Sequence, residues 1–418
     1  MISNRAAEAE ILGLEGLEWL LGVAREAGSG LTWGSTPSDQ ELDPTLYSGI
    51  AGIVLALLEA HRHFDDDRFG VAAWRGARTI ADAVDKWEHN SLYFGLAGMA
   101  CALQAVHHLL GDQEADAAAN RAIERVRSRF DGIRWSDQFE LLGGNAGIAL
   151  GALFCGEVEL ALLAVTPYLR TAQVTAGGVN WEGRSGMTSR FHHMSHGTLG
   201  IAVSLAAVGR ATCRRDLLQL AVAGALDVVA RNEADAAGFL VPHSDPQHKP
   251  DRVERYSYGW CHGPAGDAQA FRLLGAVFQD PDWLTLADRC WYSVTHSGLP
   301  ERLRPGFWDN NGRCCGTAGV VALACDRLVE GKDGLDFGEV LVADLGERVT
   351  RGSLGARWSN VEFRATPSTL EPRTGWAMGN AGIIRELLRF ARAGSGRDPD
   401  YAVTFPDQLA AHPCLSDR

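Results

Sequence analysis

No stretch of the chain is apolar for the roughly 20 residues that a membrane-spanning helix needs. Asp227 interrupts the best candidate, Leu217 to Val229. The opening residues, Met1-Ile-Ser-Asn-Arg followed by Ala-Glu-Ala-Glu, hold no apolar segment of signal-peptide type, so a cytoplasmic location is expected. Positive charge is in deficit: 39 Lys and Arg stand against 52 Asp and Glu, a net charge of −13. A nucleic-acid partner needs a basic patch for its phosphates, and this balance argues against one. Nine cysteines in 418 residues is an odd count without the spacing of a small secreted domain, so no disulfide framework is expected. The bulk composition, 46% hydrophobic and 22% charged, is that of a globular chain able to bury a large core.

Glycine, by contrast, is plentiful and ordered. A phrase of glycine, two residues and a second glycine, followed by an aliphatic run, occurs seven times. Its copies are Gly49-Ile-Ala-Gly52, Gly95-Leu-Ala-Gly98, Gly144-Asn-Ala-Gly147, Gly197-Thr-Leu-Gly200, Gly263-Pro-Ala-Gly266, Gly316-Thr-Ala-Gly319 and Gly379-Asn-Ala-Gly382. With 48 glycines, about five bare matches to the two-glycine pattern arise by chance. The signal is therefore the spacing: successive first glycines lie 46, 49, 53, 66, 53 and 63 residues apart. Alanine fills the third place in six of the seven copies. A period of this length marks a repeat architecture.

Each phrase opens an apolar helical pattern, such as Ile53 to His61, and charged amphipathic patterns lie between phrases. The clearest are 68–87 and 112–130, with similar segments at 214–231, 282–296 and 336–351 and one more at about 5–27. The expectation is an all-α fold, an (α/α)₇ toroid of inner and outer helices around a central cavity, forming one domain over 1–418. Small residues at the heads of the inner helices would let backbones approach closely, and the helix N-termini would favour anions and thiolates. The long connections 173–195, 233–258 and 352–376 are expected to rim the cavity, with short β-hairpins.

The fifth phrase is preceded by Trp260-Cys261-His262 and the sixth by Cys314-Cys315. Cysteines before the same turn of the repeat would meet in a toroid. Three thiols with room for a fourth ligand form the layout of a catalytic zinc site, and soft thiolates favour Zn²⁺ over Mg²⁺ or Ca²⁺. Free cysteine often serves as a small buried hydrophobe, the role assigned to Cys101, Cys155, Cys213, Cys290 and Cys325. Alone, Cys261 would suit core packing as well as function; the adjacent pair in the same register turns the reading to metal. His262 is an alternative ligand or a neighbour of the ligands. His196, in Ser195-His196-Gly197, stands in the register of His262 and Cys315 and suits a general acid or base. His192 and His193 read as solvated loop residues. Glu140, four residues before Gly144, is the candidate carboxylate, with Asp137 second.

On these motifs the whole chain resembles the lanthionine synthetase C family, the LanC-like cyclases. The resemblance rests on the seven phrases and on Ser195-His196-Gly197, Trp260-Cys261-His262-Gly263 and Cys314-Cys315-Gly316. It implies an α/α toroid with Zn²⁺ on Cys261, Cys314 and Cys315, and His196 as the cavity histidine. It also implies a reaction: a cysteine thiol adds to dehydroalanine or dehydrobutyrine in a dehydrated precursor peptide, closing a thioether ring. Separate dehydration enzymes would be partners. Three features depart from the family. Cys315 replaces the usual histidine, Glu140 stands where an aspartate is usual, and Ser257 falls where an arginine is usual. Other readings are addition of a small thiol such as glutathione, a glycosidase-type barrel with paired carboxylates, and a non-catalytic peptide-binding scaffold.

Overall fold

The computed structural model describes residues 4–304, 306–361 and 369–408. Helices dominate it: α1 (Asn4–Gly22), α2 (Ile50–Phe64), α3 (Asp67–Ala83), α4 (Leu96–Leu110), α5 (Gln113–Ser128), α6 (Asn145–Phe154), α7 (Val158–Val165), α8 (Tyr168–Thr171), α9 (Thr198–Ala211), α10 (Arg215–Val229), α11 (Pro264–Phe278), α12 (Pro281–Thr295), α13 (Thr317–Val329), α14 (Leu335–Arg348) and α15 (Asn380–Gly394). Every glycine phrase opens a helix, and the helices after phrases are buried nearly all round. The amphipathic segments at 68–87, 112–130, 214–231, 282–296 and 336–351 are α3, α5, α10, α12 and α14.

Two expectations are corrected. The opening helix ends at Gly22, and Arg25–Ala27 pairs antiparallel with Gly30–Thr32, where the β-hairpin turns at Gly28 with a φ of +61°. The third repeat also has a short second helix that periodicity did not reveal. It is split into α7 and α8 at Pro167, whose ring cannot sit inside a continuous helix. The expected hairpins occur at Gln173–Val174 with Val179–Asn180 and at Thr350–Gly352 with Gly355–Arg357. Arg190–Phe191 pairs with Ser244–Asp245 and so ties two long connections together. Part of the third connection, 362–368, lies outside the described residues.

The chain divides into two compact units. The first comprises Met1–Trp87, Ala102–Arg121 and Gly298–Thr404. In it α13 packs on α15 and α15 on α2, while α2, α13 and α15 each back onto an amphipathic helix: α3, α14 and α1. The N-terminal helix therefore serves as the partner of the last phrase helix. The second unit comprises Glu88–Cys101, Ala122–Ser297 and Phe405–Arg418. There α6, α9 and α11 pack in succession and are backed by α7, α10 and α12.

The structure gives each glycine of the phrase its own steric reason. In five copies, at Gly52, Gly147, Gly200, Gly266 and Gly382, the second glycine lies under the carbonyl of the residue six places before it. A Cβ on Gly266 would come within 1.9 Å of the Trp260 oxygen, and one on Gly382 within 1.9 Å of the Trp376 oxygen. The other side of each is closed by the neighbouring phrase, Met194 against Gly266 and Arg313 against Gly382. The first glycine is the N-cap, in extended backbone that any residue could adopt, so room and not φ selects it: a Cβ on Gly316 would meet the Asn310 oxygen at 2.1 Å.

Between the phrases runs a ladder of backbone hydrogen bonds, always at the residue two before the first glycine. In the second unit Tyr93 N–H donates to Leu142 O at 3.3 Å, Leu142 to Ser195 at 3.2 Å and Ser195 to Cys261 at 3.1 Å. In the first unit Cys314 donates to Ala377 at 2.8 Å and Ala377 to Tyr47 at 2.9 Å. This register places the side chains of the site.

Candidate metal and acid–base site

In the second unit, Glu140 and His196 come together. The Glu140 side chain is 3% exposed, and its carboxylate accepts the backbone N–H groups of Leu142 at 2.6 Å and Gly143 at 3.1 Å. Buried acceptors of this kind are costly unless satisfied, and these two donors satisfy them. One carboxylate oxygen also lies 3.4 Å from His196 Nδ1, while His196 itself stays 39% exposed. The arrangement orients the imidazole from its Nδ1 side. Asp137 is elsewhere in chemistry, paired with Arg184 at 2.8 Å with both side chains about half exposed.

His262 stacks on His196 with ring centroids 5.4 Å apart and lies 3.8 Å from His243 on its other side. Its Nε2 is 3.4 Å from Ser195 Oγ, which donates to the Cys261 carbonyl at 2.9 Å. The serine hydrogen is thus spent on a carbonyl, and His262 is the donor to the serine oxygen. Burial first, then the neighbouring imidazoles, holds the His262 pKa well below its ordinary value.

His192 and His193, read from sequence as solvated, are buried to 1% and 0% exposure. The Phe191 strand pairing and the turn before α9 carry them inward. His193 Nδ1 meets both oxygens of Asp267 at 3.0 and 2.9 Å, and its Nε2 faces the Pro242 carbonyl at 3.2 Å. Both ring nitrogens therefore face acceptors. The His193–Asp267 contact links the fourth phrase to the first turn of α11, directly after Cys261 and His262. Sequence reasoning missed Asp267 and His243. A carboxylate in the head of an otherwise apolar helix was the signal for Asp267; His243, inside a long connection, offered none.

In the first unit, Cys314 is 1% exposed and Cys315 half-buried, with their sulfurs 3.5 Å apart. Two sulfurs on a tetrahedral zinc with bonds of ~2.3 Å stand ~3.8 Å apart, so this pair needs only a small adjustment to share an ion. Both precede the N-terminus of α13. Cys261, 6% exposed in the second unit, precedes α11 in the same way. Among the described residues, the group of cysteine, histidine and acidic side chains able to hold a metal ion is Cys261, Cys314 and Cys315. Three soft donors suit zinc. Of the cysteines assigned to packing, Cys101, Cys290 and Cys325 are buried, but Cys213 is exposed at a left-handed φ of 57°, so the packing role does not hold for it.

The family model described as lanthionine synthetase C-like protein matches residues 40–248 and 245–339. Among solved structures, nisin cyclase is similar at 16% identity over 88% of this chain and 93% of that one, with a TM-score of 0.63. An unsaturated glucuronyl hydrolase specific for heparin is similar at 11% identity, covering 93% of this chain and 97% of that one, with a TM-score of 0.51. At these identities the likeness shows the fold, the α/α toroid class expected from the repeats. No curated protein matches the sequence. Among the described residues, no helix is long and apolar enough to cross a membrane.

Proposed function

From the premise that the chain belongs to the lanthionine synthetase C-like family, we propose that it is a zinc-dependent peptide cyclase. It adds a cysteine thiol to dehydroalanine or dehydrobutyrine in a dehydrated precursor peptide. The observation that carries this reading is the metal-capable set Cys261, Cys314 and Cys315. Bound there, a zinc ion would acidify a substrate thiol.

The chain's own residues supply the rest. Glu140, pinned by two backbone N–H groups, holds His196 by Nδ1. As the sulfur bonds to the β-carbon, the carbon–carbon double bond opens and negative charge develops on the neighbouring carbonyl. His196 Nε2 delivers the proton that the α-carbon needs, and the phrase-helix N-termini favour the transient charge. His262, held neutral by burial, stacks on His196 and excludes water from its face. On this reading separate enzymes dehydrate the peptide, and the protein works in the cytoplasm.

The test has two parts. Protein purified without added metal is expected to hold one zinc per chain, and Cys261→Ala with Cys314→Ala is expected to lose it. Mass spectrometry after thiol alkylation then counts cysteines left open in a dehydrated peptide. Full zinc retention in the double variant, or rings formed at the uncatalysed rate by the metal-replete protein, would reject the reading.

A further inference from the structure

We propose that Tyr47 is a positioning residue of the metal centre, whose phenol donates a hydrogen bond to the Cys314 thiolate and offsets the charge of a third sulfur ligand. The inference rests on the zinc reading above and deepens it.

Tyr47 Oη lies 3.5 Å from Cys314 Sγ with the phenol as donor. The contact joins residues 267 positions apart in the chain, and the ladder makes it. Tyr47 and Cys314 both stand two residues before a first glycine. Their backbones are joined through Ala377, which accepts from Cys314 at 2.8 Å and donates to Tyr47 at 2.9 Å. The phenol of the first phrase is thereby aimed at the sulfur of the sixth. Tyr47 lines a small pocket together with Ser48, Gly375 and Met378.

The charge argument gives the contact a purpose. Cys315 Sγ sits 3.5 Å from Cys314 Sγ, so as ligands two anionic sulfurs stand side by side. Three thiolates leave a zinc centre with net negative charge before any substrate sulfur arrives. A phenol O–H on one of the adjacent pair withdraws density from its sulfur. Partners of ligands that act this way set metal affinity and ligand basicity.

The test uses full-length protein with cobalt(II) in place of zinc, because thiolate-to-cobalt charge transfer reports electron density on sulfur. The Tyr47→Phe protein keeps the ring and its packing. It is expected to bind one cobalt, with the charge-transfer band at longer wavelength and affinity, by chelator competition, about tenfold lower. Site-specific 3-fluorotyrosine at position 47, a stronger donor, is expected to move the band the other way. Cobalt-loaded proteins with identical bands at all three side chains would overturn the inference while leaving the zinc reading standing. A wild-type protein with no thiolate band would remove both.

Discussion

The two units bury charge in opposite ways. Around the phrase turns of the second unit, the buried Glu140 carboxylate is met by the backbone N–H groups of Leu142 and Gly143, and the buried His193 imidazole by the Asp267 carboxylate. In the first, guanidinium groups fill the interior around α15. Arg313 meets Glu386 at 3.0 Å, Arg389 meets Asp326 at 2.7 Å, and Arg385 and Arg392 share Glu59. Tyr401 closes the group, donating to Glu386 at 2.7 Å and lying under Arg385 and Arg389. Guanidinium ions do not titrate in the working range, whereas imidazoles do. The contrast separates permanent charge buried in pairs from imidazoles, of which burial lowers the pKa of His192, His243 and His262.

The largest effect is expected where a permanent charge loses its partner. Glu59→Gln leaves Arg385 and Arg392 without their shared anion. Breaking a buried pair costs ~3–5 kcal/mol, and urea denaturation should show a loss of about 3 kcal/mol with little change in ring closure per folded molecule. An unchanged midpoint would mean that the arginines are held by carbonyls alone.

In the second unit the expected loss is chemical. His196→Asn should keep the fold and the metal while slowing ring closure by about 10²-fold or more. Wild-type ring yield and pattern from the variant would reduce His196 to a structural residue.

Acid should also separate the units. Burial first, then neighbouring charge, brings His192 and His243 down to about 3 from an ordinary 6.5. Below pH ~6.5 the unfolded chain therefore takes up protons that the folded chain refuses until pH ~3. Stability is complete above that window and falls within it as pH falls, by at most about 1.4 kcal/mol per pH unit for each histidine. Denaturation series from pH 7.5 to 4.5 on wild type and His192→Phe measure the slope. Equal slopes would show that His192 is not a source of it.

The smallest effect concerns Cys315. Cys315→His is expected to retain zinc, since imidazole and thiolate both fit a tetrahedral ion. It removes one negative charge from the ligand set, so a substrate sulfur becomes more acidic and less nucleophilic, with a Brønsted slope of roughly 0.4–0.5. Ring closure should slow a few-fold and its pH onset should move down. A metal-replete variant that is faster across the whole pH profile would show that ligand charge is not what Cys315 contributes.

Much of this was written in the chain itself. The seven glycine phrases announce seven helix heads, because the steric demand that selects each glycine is local and recurs with the period. Cys261, Cys314, Cys315 and His196 stand out for the same reason: their place in the frame is countable. Other features depended on contacts between distant residues. His193 looks like a loop residue until Asp267, 74 positions away, gives it a buried partner. Glu140 and Asp137 are first and second candidates on paper; burial on two backbone N–H groups separates one from a surface ion pair with Arg184. Tyr47 carries no motif, and only the backbone ladder brings its phenol to Cys314. Local sequence determines which turn a side chain belongs to. Burial, protonation and partnership are set by the groups that the folded chain brings against it, and those exist only in the tertiary structure.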